Sequence, residues 1–418
     1  MATNTTHATS QASVSESNRS RIVKHLYHNG ISSRAQIAKA LELTPAAITK
    51  ITARLIEAGM IEETGDLEGS KNRRSIGLKL NTTHFRIIGI KFARSLVQIG
   101  VFDLCGNTLS FENLPTVCDN TINDSIVTIH QRVEQLLDND PSIVAIGMAV
   151  PGPYLRNVGR TAVVSSMQGW RRINFIDEFA TAFRVPVFIE QDARAGALAH
   201  YLFDPSVHAD GNLAYYLVGE GVGLGVIDNG RLINGFLGAA TEIGHISIDV
   251  NGRPCDCGNV GCLERYCSTP CHSRYAHRRW HRGSRRGRYD PHRSRPRPVR
   301  QSQATATNAA LAIVREVARY VGYGCVTIFM DTIPSTSSSA TSCPKPARYC
   351  SMRCAPRWPN GPSPKSMPST SISLSTLSAD AAVSGAAAVA VTPIPRHPVG
   401  VLRRLLNQAP TSQDVPYE

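Results

Sequence analysis

The sequence predicts two units in series: a small helical module closed by a basic hairpin, then a larger α/β domain of buried strands. Three observations carry this. Apolar residues recur at helical spacing as far as Gly59, with capping signals between the repeats. From Phe85 the pattern changes to short continuous apolar runs, as buried strands require. Late in the second unit, His245, Cys255, Cys257 and Cys262 place four soft ligands close together. A chain of 418 residues has room for two or three domains and a sizeable core. No apolar run reaches the roughly 20 residues that a membrane helix needs, and the polar N-terminus lacks a signal-peptide core. Eleven cysteines, three of them in a metal pattern, suit a reducing cytoplasm better than a disulfide scaffold. The net charge of +13 is uneven: residues 268–303 hold eleven Arg and one Asp, so only +3 remains elsewhere.

In the first unit, residues 1–17 are expected to be a solvated tail. Ile22, Val23, Leu26 and Tyr27 then mark a helix that Asn29-Gly30 ends. A second helix is expected from about Ser33 to Leu41. Thr44 is a good N-cap and Pro45 suits the first turn of a third, with Ile48, Ile51, Leu55 and Ile56 inward. Residues 61–80 read as two strands around a Gly/Lys/Arg-rich turn. Three helices and a basic hairpin, over residues 18–82, make a winged helix-turn-helix. In the major groove its third helix would present Pro45, Ala46, Thr49 and Lys50, with Arg34 beside them. Lys71, Arg73 and Arg74 on the wing would reach phosphates or the minor groove. The rival reading is a helical dimerisation domain whose basic loop is merely solvated.

In the second unit, Arg86–Ile90, Val97–Phe102 and Ile143–Val150 read as strands, with a helix over Ile122–Leu137. One histidine and three cysteines at C-x-C-x4-C spacing form a closed set suited to tetrahedral zinc, and Gly258 and Gly261 let the backbone curl around the ion. Four protein ligands leave no open position, so the zinc should be structural.

Glu242-Ile-Gly-His245 followed by Cys255-Asp-Cys257-Gly-Asn-Val-Gly-Cys262-Leu-Glu264 resembles the zinc signature of the ROK family, which groups sugar kinases with sugar-responsive repressors. The Ser33–Ala38 run is similar to the DNA-binding domain of its repressors. The resemblance implies that residues 83–266 belong to an α/β actin-like, ribonuclease-H-type domain of two lobes closing on a sugar. It also implies a pocket of Gly152, Asp192, Glu242, His245 and Glu264, with His245 joining zinc to sugar. Glu190–Gly196 resembles the family's Glu-Asn-Asp-Ala-Asn-Ala-Ala, in which the Asp, here Asp192, is the kinase base. The phosphate-handling parts depart from the family. Lys91, Ala93 and Arg94 stand where the kinases have Asp-x-Gly-x-Thr, and Glu220 replaces a threonine in the run Gly219–Gly225. A carboxylate there repels a triphosphate, so ATP binding and enzyme activity are not expected.

After Tyr266 the texture breaks. Residues 267–307 alternate Arg, His, Ser and Pro, and residues 332–372 hold eight prolines, three cysteines and no acid from Thr332 to Ile372. The reading adopted for both is a pair of compensated frame slips; the rival is genuine disordered insertion. Between and after them, 308–331 and 373–392 read as family helices, with 393–418 a tail and the C-terminal lobe incomplete. The expectation is a cytoplasmic homodimer or higher homo-oligomer that represses carbohydrate genes on operator DNA, with a sugar effector weakening the binding. The alternatives are a ROK sugar kinase with an added DNA-binding domain, or a degenerate product that binds DNA constitutively.

Overall fold

The computed structural model describes residues 11–67, 75–93, 95–162, 169–207, 211–269, 299–332, 372–375, 377 and 381–392. At the N-terminus stand α1 (Gln11–Asn29), β1 (Ser32–Ser33), α2 (Arg34–Leu41), α3 (Pro45–Glu57), β2 (Ile61–Leu67) and β3 (Ser75–Leu80). Ser33 caps α2 through a reciprocal box with Gln36, and Thr44 accepts the amide of Ala47 to cap α3, with Pro45 in its first turn. These caps satisfy amides that the helices cannot pair themselves. β3 lies between β1 and β2, both antiparallel to it. Ile22, Leu26, Ile37, Ile48, Leu55 and Leu78 meet in the middle, each almost wholly buried. Helix α1 begins at Gln11, inside the expected tail. Residues 11–16 contain no Gly or Pro, and extending a helix from a packed nucleus costs little.

The second unit is built on a five-stranded sheet ordered β10-β7-β4-β5-β6. Its strands are β4 (Arg86–Phe92), β5 (Val97–Asp103), β6 (Thr108–Asn113), β7 (Ile143–Val150) and β10 (Val187–Gln191). β4, β5 and β6 run antiparallel, and β7 and β10 add on parallel to β4. β7 is buried along its whole length, as a central strand covered on both faces must be. Helix α4 (Ile122–Asn139) covers one face with Ile126, Ile129 and Val133. Phe92, Trp170, Phe175 and Phe179 fill that side with rings 5.2–6.2 Å apart. The short pair β8 (Tyr154–Leu155) and β9 (Arg160–Thr161) follows β7. Across α5 (Asp192–Phe203), a second sheet of β11 (Leu213–Val218), β12 (Val222–Asp228) and β13 (Arg231–Leu232) is antiparallel and has three strands among the described residues.

Beyond the cysteine loop come α6 (Glu264–Cys267), α7 (Val299–Thr332) and α8 (Ala381–Val391). α7 starts before the expected residue 308: no proline interrupts 299–332, and the added turns hold Gln301, Gln303, Ala304 and Ala306, which favour helix. α8 is shorter than the expected 373–392, and Ser373–Ser375 lie outside it. All eleven of its residues are buried between the first sheet and α5. Only small residues permit that seat: a Cβ on Gly147 would lie 1.7 Å from the carbonyl oxygen of Ala386. Most of the two compositionally aberrant segments lies outside the described residues.

Candidate functional site

The cysteine loop turns back on itself through amides rather than long elements. Ile248 N donates to Gly261 O, Cys255 N to Asn259 O and Gly261 N to Arg253 O, at 2.8–2.9 Å. Gly261 has φ +74°, and a Cβ there would lie 1.8 Å from the carbonyl oxygen of Asp249, so no other residue fits the turn. The result gathers the four sequence-predicted ligands. The ligand atoms of His245, Cys255, Cys257 and Cys262 all lie within 4.8 Å of one another. Cys255 Sγ is 3.7 Å from His245 Nδ1, and Cys257 Sγ 3.6 Å from Cys262 Sγ. A tetrahedral zinc with Zn–S of about 2.3 Å needs sulfur–sulfur edges of about 3.8 Å, so these spacings match in scale. Burial and the neighbouring sulfurs push the Cys262 thiol up; a bound cation would reverse that, since a coordinating thiol is deprotonated.

Beside this loop the acids converge. Glu242 sits one turn before His245, whose amide donates to its carbonyl. Its carboxyl is pushed up to about 8: burial is the main cause, Arg194 pulls it down, and Asp192, Glu264 and Glu190 push it up. Glu242 Oε1 is buried and has no hydrogen-bond partner among the described residues. Glu264, buried at the start of α6, accepts the amide of Val222 through Oε2 at 3.2 Å. Asp192 opens α5 and accepts the amide of Ala193 at 2.7 Å. Gly152 abuts the side chain of Gln191, which caps α5 by accepting the amide of Arg194. Thus Asp192, Glu242 and Glu264 are brought together, next to His245 and the cysteines.

Sequence reasoning missed the cations beside these acids. Arg194, wholly buried on α5, donates from Nε to Glu190 Oε1 at 2.8 Å and from Nη1 to the carbonyl of Ala240 at 3.3 Å. Arg156, from the β8–β9 hairpin, pairs with the other oxygen of Glu190 and reaches Asn234 at 3.2 Å. Arg194 belongs to the Glu190–Gly196 run; Arg156 is 34 residues from Glu190 with no spacing signal.

In the first unit, Pro45, Ala46, Thr49 and Lys50 are all exposed along one side of α3, and Arg54 continues that surface. Arg34 is otherwise occupied, donating to Glu63 at 2.6 Å and Thr52 at 3.3 Å and so tying α2 to α3 and β2. Lys71, Arg73 and Arg74 lie outside the described residues. The two units are joined by packing. Tyr27 at the end of α1 donates to Leu104 O at 2.9 Å, and His28 meets Tyr201 of α5 edge-on with ring centroids 5.0 Å apart.

The phosphate-loop positions are also in view. Lys91 is half-buried within β4, Ala93 N donates to Leu96 O across a tight turn, and Arg94 is not among the described residues. Ser95 from that turn donates to Glu220 Oε1 at 3.5 Å. The glycines after Glu220 serve packing: a Cβ on Gly223 would lie 2.7 Å from Ala193 Cβ, and one on Gly225 2.4 Å from Ala193 O.

Residues 87–340 match the model of the ROK family, more than half of the chain. The chain belongs to the ROK family. Residues 16–62 match a winged helix-turn-helix DNA-binding model, so this ROK protein carries a DNA-binding fold at its N-terminus. The DNA-binding transcriptional dual regulator NagC of Escherichia coli strain K12 is 32% identical over 256 residues, 60% of this chain and 62% of NagC. The xylose repressor of Bacillus subtilis strain 168 is 30% identical over 261 residues, 62% of this chain and 67% of the repressor. The match thus spans less than two thirds of NagC. Among solved structures, a ROK family transcriptional regulator described as a homolog of the E. coli MLC protein superposes with a TM-score of 0.70 at 23% identity, covering 94% of this chain and all of that one. A ROK glucokinase from Streptomyces griseus, in complex with glucose and AMPPNP, superposes at 0.57 and 23% identity, covering 73% of this chain and 99% of that one. These likenesses establish the actin-like fold of the second unit. No described helix is long and apolar enough to cross a membrane.

Proposed function

We propose that this ROK protein is a sugar-responsive repressor of carbohydrate genes, acting in the cytoplasm as a homodimer on operator DNA. The observation that carries the reading is the direct packing of α1 on α5. One end of α5 holds Asp192 and Arg194 at the acid pocket, and the other holds Tyr201 against His28 of the winged helix. A sugar that prefers one arrangement of α5 and the 240–242 segment therefore biases where α3 points, and binding at the two sites must be reciprocal. Pro45, Ala46, Thr49 and Lys50 would face bases and phosphates, with the wing residues Lys71, Arg73 and Arg74 on the backbone. NagC and the xylose repressor support the class.

In the pocket, Asp192, Glu242 and Glu264 would accept sugar hydroxyls, with Gly152 admitting the ring and His245 linking it to the metal. The donor set His245, Cys255, Cys257 and Cys262 fits zinc, which would supply structural rigidity and no open coordination position. A carboxylate at Glu220, within reach of Ser95, occupies the phosphate region with negative charge, which supports a non-enzymatic reading. The test is to select DNA from a random pool with the full chain. Its affinity for the selected site is then measured with and without D-xylose, D-glucose and N-acetyl-D-glucosamine. One sugar should weaken binding at least fivefold; equal affinity with every sugar, or sugar-dependent ATP turnover, refutes the proposal.

A further inference from the structure

We infer that Arg194 is the specificity-determining residue of the pocket: Arg194 Nη2 and Glu242 Oε1 read the same hydroxyl of a neutral sugar. This rests on the sugar-binding reading above and adds to it a residue and a ligand charge. Arg194 stands where the family motif has an asparagine, and it is wholly buried. A guanidinium out of water is costly unless its donors are met. Nε is met by Glu190 and Nη1 by the carbonyl of Ala240, but Nη2 is buried and has no partner among the described residues. Glu242 lies two residues beyond that carbonyl, and its Oε1 is likewise buried and unmatched. Most buried polar atoms in native proteins are paired, so a donor and an acceptor left open on one short stretch point to a ligand that supplies both.

The chemistry of that ligand follows from the charges around it. A carboxylate or phosphate would satisfy Arg194 but face Asp192, Glu242 and Glu264. An ammonium group would satisfy the acids but face Arg194. A hydroxyl does both, because one oxygen accepts from Nη2 while its proton goes to the carboxyl. It pairs equally well with an ionised or a protonated Glu242. Arg156 completes the device from outside the pocket. By holding the second oxygen of Glu190, it leaves that carboxylate with a cation on each side and fixes the guanidinium of Arg194. A lysine at 194 keeps charge but loses the fork that lets Nε, Nη1 and Nη2 act on three partners.

The experiment is calorimetric titration of the full chain with D-xylose, D-glucose and N-acetyl-D-glucosamine. Monodeoxy analogues of whichever sugar binds, and D-glucuronate and D-glucosamine as charged probes, complete the panel. In the natural chain one deoxy position should lose about 10- to 100-fold in affinity, the range for a hydrogen bond to a charged group. In Arg194→Asn the parent sugar should weaken by a similar factor, and the penalty at that one position should fall to within about twofold while the others persist. Arg194→Lys should lie between. Circular dichroism and cooperative unfolding report whether the variants fold. If Arg194→Asn does not, Glu242→Ala, which removes the acceptor oxygen, must reduce the penalty at the same position. A penalty that persists in the folded variant, or D-glucuronate binding more tightly than the neutral sugars, overturns the inference and leaves the sugar reading standing. A natural chain that binds no sugar of the panel overturns both.

Discussion

Replacing Tyr27 with phenylalanine removes one oxygen from the seam between the DNA-binding unit and the α/β domain, and nothing from either core. The phenol donates to the carbonyl of Leu104 at 2.9 Å. Burial, reinforced by Cys105 and Asp103, drives its pKa well above the ordinary tyrosine range, as expected of a hydroxyl shut away from water. Leu104 belongs to the turn after β5, which is wedged against α5: a Cβ on the neighbouring Gly106 would lie 2.4 Å from the ring of Phe203. Losing the hydrogen bond and stranding the carbonyl should cost the seam about 1–2 kcal/mol. Coupling between two sites is typically about 1–3 kcal/mol. The sugar's effect on operator affinity should therefore shrink about fivefold or more in Tyr27→Phe. Calorimetry should show sugar affinity preserved within about twofold, because the pocket lies at the other end of α5. Fluorescence anisotropy of a labelled operator, with and without sugar, measures the ratio. A variant whose ratio matches the natural chain would mean that the seam does not carry the signal, and the α1–α5 route would have to be abandoned.

Gly147→Ala should destabilise the α/β domain by about 3 kcal/mol, the upper end of overpacking costs, because α8 must back away from the sheet; an unchanged urea midpoint would contradict the seat described for Ala386. Lys50→Ala should weaken operator binding at all salt concentrations and reduce the slope of log affinity against log salt by about 1, as gel-shift titrations over a salt series will show. Cys257→Ser should abolish retention of one zinc per chain through dialysis, read by atomic absorption, and open residues 245–264 to protease; full zinc retention would exclude Cys257 as a ligand. Burial holds the His200 imidazole below its usual pKa, against the opposing pull of Asp204. The unfolded chain therefore takes up a proton that the folded one resists, and stability should fall as pH drops below about 6.5. His200→Gln should flatten that fall in a thermal melt.

The helical module was legible because its signals are local. Ser33 with Gln36, and Thr44 with Pro45, each mark a helix start within a span of four residues or fewer, and the observed caps use Ser33, Gln36 and Thr44. The cysteine cluster was legible for the same reason: its ligands fall within one short loop, and glycine is needed where it stands at 261. β6 was missed because Thr108–Asn113 is a largely exposed edge strand, with Leu109 and Phe111 at 50% and 44% exposure, so no buried face stamps its pattern on the sequence. The Arg156–Glu190–Arg194 arrangement was missed because its meaning lies in three dimensions: Glu190 gains its second cation from a hairpin, and Arg194 reaches a carbonyl 46 residues on. Arg34 adds a partner the sequence does not announce: expected beside the recognition helix, it is engaged by Glu63 and Thr52.

The glycine-rich run Gly219–Gly225 has a structural use of its own. Glycines at Gly223 and Gly225 would suggest a phosphate cradle if phosphates were their only use. Here β12 passes so close to α5 that side chains at either position would collide with Ala193. Gly196 on α5 is pressed in turn against the ring of Tyr215, and Gly385 of α8 against the backbone of Ala195. α5 is thus clamped by close contacts with β11, β12 and α8, and a clamped helix of 12 residues, roughly 18 Å long at about 1.5 Å per residue, moves as a unit or not at all. A fold that closes two lobes over a nucleotide needs this rigidity to align its reacting groups. A fold that reports a sugar to a DNA-binding helix needs it to carry a displacement from Asp192 to Tyr201. Packing against α5 therefore accounts for Gly223 and Gly225 without any phosphate ligand.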